Sequence, residues 1–315
     1  MYSLLGRSLA PSTTRSYTSA FQQYLQFCKY HNFKALPIVE SNLMLYVTGI
    51  SQHSTSYIKI HICAVKHYST LYTGQLNSHF PRLYLLVRAI KRKNKKQPKR
   101  APVTLPKLKL VFSHLAASSL PHHDKLMLWA AVTTGFFGFL RCSEYVSPQT
   151  RQYDPDTTLC FEDVTYRYPN IHIHIKTSKT DPFRDGCTIC LSPSNADVCP
   201  VTNLIQYMSS HPLKTGPLFT YHDNTLLTQR RLNNLLKSAI PSHSNNPVST
   251  HSLRIGAATT AASAGLPRWM IQQLGRWVSD CFRTYIRIPS STFKEVSHTL
   301  ATTTTEGTTF DPDLA

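Results

Sequence analysis

His251-Ser252-Leu253-Arg254, and one helix later Leu274-Gly275-Arg276-Trp277-Val278-Ser279-Asp280-Cys281-Phe282-Arg283-Thr284-Tyr285-Ile286-Arg287, decide how this chain is read. The first stretch opens a helix after Ser249 or Thr250. A spacing of three residues puts His251 and Arg254 on one helix face, one turn apart, so both address one small region. At a helix N-terminus they add to a place already suited to phosphate. H-x-x-R alone is common by chance, and a lone tyrosine is more often a packing residue than a nucleophile. The information lies in what accompanies them.

Two further elements lie upstream. Thr134-Gly135-Phe136-Phe137-Gly138-Phe139-Leu140-Arg141-Cys142-Ser143-Glu144-Tyr145 closes an apolar helical stretch on an arginine. An arginine buried without a partner is costly, and the plain reading of Arg141 is a salt bridge to Glu144 or another acid. Lys176-Thr177-Ser178-Lys179-Thr180-Asp181-Pro182 reads as a turn before a strand, with Lys179 a solvated turn lysine on the plain view.

Working outward, helices are predicted over 105–118 and 122–140, then the period changes. Thr158–Arg167, Ile171–Ile175 and Thr188–Leu191 alternate or are β-branched and predict a three-stranded antiparallel sheet. Helices resume at 201–210, 228–239, 250–264, 267–276 and 279–287, with Gly265-Leu266-Pro267 as a stop followed by a proline start. Nearer the N-terminus, 12–30 predicts an amphipathic helix capped by Ser12 or Thr13, with Tyr17, Phe21, Tyr24, Leu25 and Cys28 at helical spacing. Helices over 38–50 and 55–72 follow, and a fourth starts at Pro81. The expected fold is mainly α (α+β). A small helical domain spans 1–90, a basic linker 91–101, a mixed domain with the sheet among its helices 102–299, and a polar, disordered tail 300–315. Tyr145 and Tyr207 are expected to pack.

The 315 residues carry a formal charge of +18 and a pI near 9.7. Residues 1–100 hold fifteen lysines and arginines against one acid, Glu40, a net +14. Such a segment repels itself unless a polyanion lies against it, which points to nucleic acid before an anionic membrane. The densest run comprises Lys91, Arg92, Lys93, Lys95, Lys96, Lys99 and Arg100, expected to lie along a DNA backbone and release counterions. At 41% hydrophobic the chain is no disordered basic tail. Its apolar runs are too short to span a bilayer, and the N-terminus lacks a signal-peptide core. The eight cysteines are therefore expected to be reduced thiols of a soluble intracellular protein. Cys187 and Cys190 form a C-x-x-C with no second half, and the strand would point them to opposite faces, so no metal is expected.

Taken in order, an arginine in L-R-x-S-E, a lysine in a β-hairpin turn, H-x-x-R, L-G-R-W and a tyrosine resemble the tyrosine recombinase (phage-integrase-like) family, over nearly the whole chain. The form G-R-W-x-S-D-x-F-x-x-Y-I-R looks most like recombinases of crypton or DIRS-like mobile elements. The resemblance implies a helical core-binding domain followed by a catalytic domain, closing as a C-shaped clamp on double-stranded DNA. It implies a site-specific recombinase or integrase that breaks and rejoins DNA through a 3′-phosphotyrosyl bond, with neither metal nor cofactor. Tyr285 would attack, Arg141 and Arg254 would neutralise the phosphate, His251 would assist proton transfer, and Lys179 would protonate the departing 5′-oxygen. Trp277 would donate its indole N–H to a phosphate oxygen.

Some positions stay open. Arg276, nine residues before Tyr285, competes with Trp277, eight before it, and Lys176 competes with Lys179. The resemblance also implies a homo-oligomer, a tetramer in synapsis, with nuclear placement if the source is eukaryotic and cytoplasmic otherwise. Two alternatives share the pattern: a domesticated, non-catalytic DNA-binding protein and a type IB topoisomerase-like relaxase.

Overall fold

The computed structural model of the chain describes residues 8–74, 79–94, 98–179, 181, 183–241, 246–287 and 301–302. It divides into two compact units, Met1–Gln97 and Pro98–Ala315, each with its own core. Lys95 and Lys96 of the basic run, and the expected tail apart from 301–302, lie outside the described residues.

The first unit contains α1 (Pro11–Tyr30), α2 (Glu40–Gly49), α3 (Thr55–Thr73) and α4 (Pro81–Lys93). Phe21, Tyr24 and Cys28 of α1 are buried with Leu43, Tyr46, Val47, Ile58, Val65, Leu83 and Ile90, while Leu25 is exposed. The cap expected at Ser12 or Thr13 is not used. Pro11 takes the first helical position, where its fixed φ fits and its missing N–H costs nothing, and Ser12 and Thr13 fall inside the helix. The Ser54 hydroxyl caps α3 by accepting from Tyr57 N–H at 3.2 Å, and Gly74 ends it in the left-handed region at φ 69°. Glu40, the one acid of the first hundred residues, accepts from Leu83 N–H at 3.1 Å and pairs with Arg82 at 2.9 Å, tying α2 to the start of α4. Lys91, Arg92 and Lys93, expected in the linker, form the last turn of α4, where cations suit the helix dipole.

The second unit runs α5 (Leu105–Ala117), α6 (His122–Phe137), β1 (Val164–Arg167), β2 (Asn170–Ile175), β3 (Cys187–Leu191), α7 (Pro200–Ser210), α8 (Gln229–Ala239), α9 (His251–Ser263) and α10 (Arg268–Leu274). The sheet is antiparallel in the order β1-β2-β3, with Val164 opposite Ile173 and Ile173 opposite Ile189. Ile171, Ile173 and Ile175 bury one face. Cys187 is half-buried and Cys190 exposed, three positions apart on β3 and so on opposite faces. β1 is shorter than the expected 158–167. Phe161–Asp163 forms a 3₁₀ turn instead, because the Asp163 carboxylate accepts from Cys160 N–H at 2.7 Å. α6 packs on α7 and α9 in the centre of the unit. Tyr145 and Tyr207 are both buried, and the Tyr207 hydroxyl donates to Leu218 O at 2.7 Å. Among the described residues no helix is long and apolar enough to cross a membrane.

Three helix ends in this unit close with the same pair of backbone hydrogen bonds, six-to-one and five-to-two. α9 does so around Gly265 at φ 77°, where a glycine is expected. α6 does so around Phe139 at φ 50°, with Leu140 N–H on Gly135 O and Phe139 N–H on Phe136 O. α10 does so around Arg276 at φ 51°, with Trp277 N–H on Gln272 O and Arg276 N–H on Gln273 O. The α6 stop is why the helix ends at Phe137 rather than at the expected 140, and why Arg141 lies in extended chain. In both non-glycine stops the glycine sits one residue earlier, for space. A Cβ on Gly138 would meet Ile189 Cδ1 at 2.8 Å, and one on Gly275 would meet the Trp277 ring at 1.7 Å.

Candidate active site

Arg254, on the first turn of α9, is fully buried. Its Nη1 donates to Phe139 O at 2.5 Å, and its Nη2 donates to Gly275 O. The two helix stops thus hold this guanidinium by their main-chain carbonyls. α9 reaches that depth because Gly256 lets it lie against the chain at Val103, where a Cβ would sit 1.8 Å from the Val103 carbonyl oxygen. The Arg254 guanidinium stacks over the Trp277 ring at 4.5 Å, and its Nε is buried with no hydrogen-bond partner among the described residues.

Arg141 precedes the 3₁₀ turn Cys142–Glu144 and gives the expected ion pair. Its Nη1 donates to Glu144 Oε1 at 2.9 Å, and its main-chain N–H donates to Glu144 Oε2 at 2.8 Å. The same Nη1 donates to Ser178 Oγ at 2.8 Å, and Ser178 Oγ–H donates to Glu144 Oε1 at 2.8 Å. Arg276 Nη2 completes the set on Glu144 Oε2 at 2.7 Å. Burial disfavours the Glu144 carboxylate, but Arg276, then the amide and guanidinium of Arg141 and the Ser178 hydroxyl outweigh it, so its pKa lies below the usual carboxylate value.

Tyr285 follows the 3₁₀ turn Asp280–Thr284. Its ring centroid lies 5.1 Å from that of His251 and 5.1 Å from that of Trp277. Thr259, in the middle of α9, clasps the segment from behind: its hydroxyl donates to Tyr285 O and accepts from Arg287 N–H, each at 3.2 Å. Trp277 is buried, and its indole N–H has no partner among the described residues. Burial first, then the positive charges of Arg100, Arg254, Arg141 and Arg287, lower the His251 pKa to about 4, so the imidazole is neutral at pH 7. Burial and the nearby Arg141 lower the Arg254 pKa to about 10, which leaves it charged. One carboxylate among this many guanidiniums makes the site a place for an anion.

These contacts bring Arg141, His251, Arg254, Trp277 and Tyr285 together. Lys179 is exposed on its turn and is not brought into this group by a contact of its own among the described residues, although the neighbouring Ser178 is bonded to Arg141 and Glu144. Lys176 is committed elsewhere: it pairs with Asp163 at 2.8 Å and donates to Pro155 O at 2.7 Å. Arg276 belongs to the Glu144 network, whereas Trp277 belongs to the aromatic group with Tyr285. Arg100, expected on a DNA backbone, lies close enough to His251 to influence its charge. Sequence reasoning did not single out Ser178 or Thr259 and treated Glu144 only as a partner for Arg141. The i, i+3 spacing of Arg141 and Glu144 was the one legible trace of that network. Among the described residues no three His, Cys, Asp or Glu side chains cluster as metal ligands.

No family model matches the sequence, and no curated protein matches it. Solved structures do match. A lambda integrase fragment, crystallised as a dimer bound to a COC′ core site, is 16% identical over 89% of this chain and 90% of its own, with a TM-score of 0.59. XerH site-specific recombinase bound to palindromic difH substrate, a post-cleavage complex, is 14% identical over 91% and 80%, at 0.65. The Tn1549 transposon integrase in complex with transposon right end DNA is 12% identical over 93% and 95%, at 0.59. The chain has the mainly α fold of these recombinases, with the three-stranded antiparallel sheet among its helices.

Proposed function

We propose that this protein is a tyrosine site-specific recombinase that cleaves and rejoins double-stranded DNA through a 3′-phosphotyrosyl intermediate. The observation that carries the proposal is the meeting of Tyr285 with His251 and Trp277, each at 5.1 Å between ring centroids, beside the stacked guanidinium of Arg254. Arg141 and Arg254 hold the non-bridging oxygens of the scissile phosphate and offset the charge that builds up on them in the transition state. Trp277 Nε1–H, buried without a partner among the described residues, donates to one of those oxygens. Tyr285 Oη forms the bond to phosphorus while neutral His251 takes the phenol proton. Lys179 gives a proton to the departing 5′-oxygen. Rejoining runs the same steps backwards, since the phosphodiester energy is kept in the tyrosyl bond.

A role in integration or excision of a mobile element, of crypton or DIRS-like form, is supported by the G-R-W-x-S-D-x-F-x-x-Y-I-R motif and by the fold shared with a transposon integrase. Assembly of four copies on DNA is supported by a lambda integrase tetramer bound to a Holliday junction, with a TM-score of 0.61 at 14% identity. Residues 91–100 would serve as the route to chromatin.

The test is covalent trapping. A nicked suicide duplex built from the repeats flanking the coding sequence should yield a protein–DNA adduct, and Tyr285→Phe should abolish it. An adduct that survives Tyr285→Phe would remove the nucleophile from the proposal.

A further inference from the structure

Arg276 reaches no aromatic ring of the site and instead turns to Glu144. Its backbone is left-handed, its side chain is 17% exposed, and the Glu144 side chain it meets is 0% exposed. Nη1 also donates to Gly138 O at 3.2 Å. Glu144 passes the restraint on through its other oxygen, which accepts a hydrogen bond from the Ser178 hydroxyl at 2.8 Å. Asp181 N–H donates to Ser178 O at 3.0 Å. At the far end the Asp181 carboxylate accepts from Asp185 N–H at 3.1 Å and from Gly186 N–H at 2.8 Å. Lys179 is a turn residue next to Ser178, and both Ser178 and Asp181 are anchored.

We propose that Arg276 is a positioning residue for proton delivery, acting through Glu144 and Ser178 to fix the turn that carries Lys179. The inference rests on the reading of the site given under Proposed function. In the step concerned, the Tyr285 Oη–phosphorus bond forms and the phosphorus–O5′ bond breaks, its electron pair staying on O5′. The phenol proton goes to His251 and a proton of the Lys179 ammonium goes to O5′. Arg276 touches none of these atoms. Without it, the buried Glu144 loses one of its two guanidinium partners, and its hold on Ser178 loosens.

Two suicide duplexes separate this role from a merely structural one: the ordinary substrate, and one with sulfur in place of the bridging 5′-oxygen at the scissile phosphate. A thiolate leaves without being protonated, so only defects in proton delivery are rescued by the sulfur. Lys179→Ala and Arg276→Ala should both cut cleavage of the oxygen substrate, by roughly a hundredfold or more for the lysine, as expected for lost general acid catalysis. Both should cleave the sulfur substrate within a few-fold of the unaltered protein, while Arg254→Ala stays slow on both. Should Arg276→Ala fail to fold, Ser178→Ala breaks the same chain at the turn and should show the same rescue. Equal impairment of the Arg276 or Ser178 variant on the two substrates overturns the positioning role and leaves the recombinase reading intact. If the unaltered protein forms no adduct with either substrate, the recombinase reading itself fails, and the inference with it.

Discussion

On one side of the site Arg141 and Arg276 converge on a single buried carboxylate and spend their strongest hydrogen bonds there. On the other, His251, Trp277 and Tyr285 meet through ring contacts, and the indole N–H beside them has no partner among the described residues. Arg254 stands between, bonded to two main-chain carbonyls and stacked on Trp277. The ionic side is a framework: two guanidiniums and a hydroxyl share one carboxylate, and its geometry is set from within the protein. The aromatic side keeps donors in reserve, and those donors are where an anion gains most. A positive site can therefore be both rigid and receptive, with one buried carboxylate orienting its arginines and leaving an excess of positive charge for an anion.

The largest expected effect falls on the residue between the two sides. Arg254→Lys keeps the charge but loses the planar fork, and adduct formation should fall by about two to three orders of magnitude while DNA binding changes only a few-fold. Equal losses in gel-shift and cleavage assays would make Arg254 an ordinary DNA contact. Glu144→Gln strikes the framework. It leaves two guanidiniums without their counter-charge and should lower unfolding stability by roughly 3 kcal/mol in denaturant titration. A stable Glu144→Gln would mean the network is not needed to hold the arginines. Gly275→Ala strikes the aromatic side, forcing the Trp277 ring off its seat, with an expected cost of about 1–3 kcal/mol and weaker tryptophan burial by fluorescence. A further effect is in pH. The folded state holds His251 near pKa 4, below its unfolded value, so the unfolded chain binds more protons between about pH 6.5 and 4, and stability must fall as pH drops through that window. His251→Gln should flatten part of that fall when stability is measured against pH, and an unchanged slope would place the His251 charge elsewhere.

Much of this was legible in the sequence, and the gaps have physical causes. The stripes Phe21-Tyr24-Cys28 and Ile171-Ile173-Ile175 announce a buried helix face and a buried strand face because side-chain periodicity is set by the backbone. The members of the aromatic group were nameable from their order along the chain. The end of α6 was not, because the left-handed residue is Phe139 rather than Gly138, and the neighbours that tolerate it come from α9 and α10. The start of β1 was misplaced because Thr158–Asp163 is rich in strand formers, yet the Asp163 side chain supplies a turn that competes with pairing. Ser178 and Glu144 are thirty-four positions apart, and a hydrogen bond at that distance leaves no periodic trace.

The left-handed backbone at Phe139 and Arg276 bears on how this chain tolerates change. A side chain there costs about 1 kcal/mol relative to glycine, so a search for thermostability would favour glycine at both places. Glycine at 276 would remove a buried partner of Glu144, and glycine at 139 would loosen the backbone whose carbonyl seats Arg254. Backbone ease and the bonds around Glu144 and Arg254 therefore pull these two positions in opposite directions, and the residues found there keep the bonds.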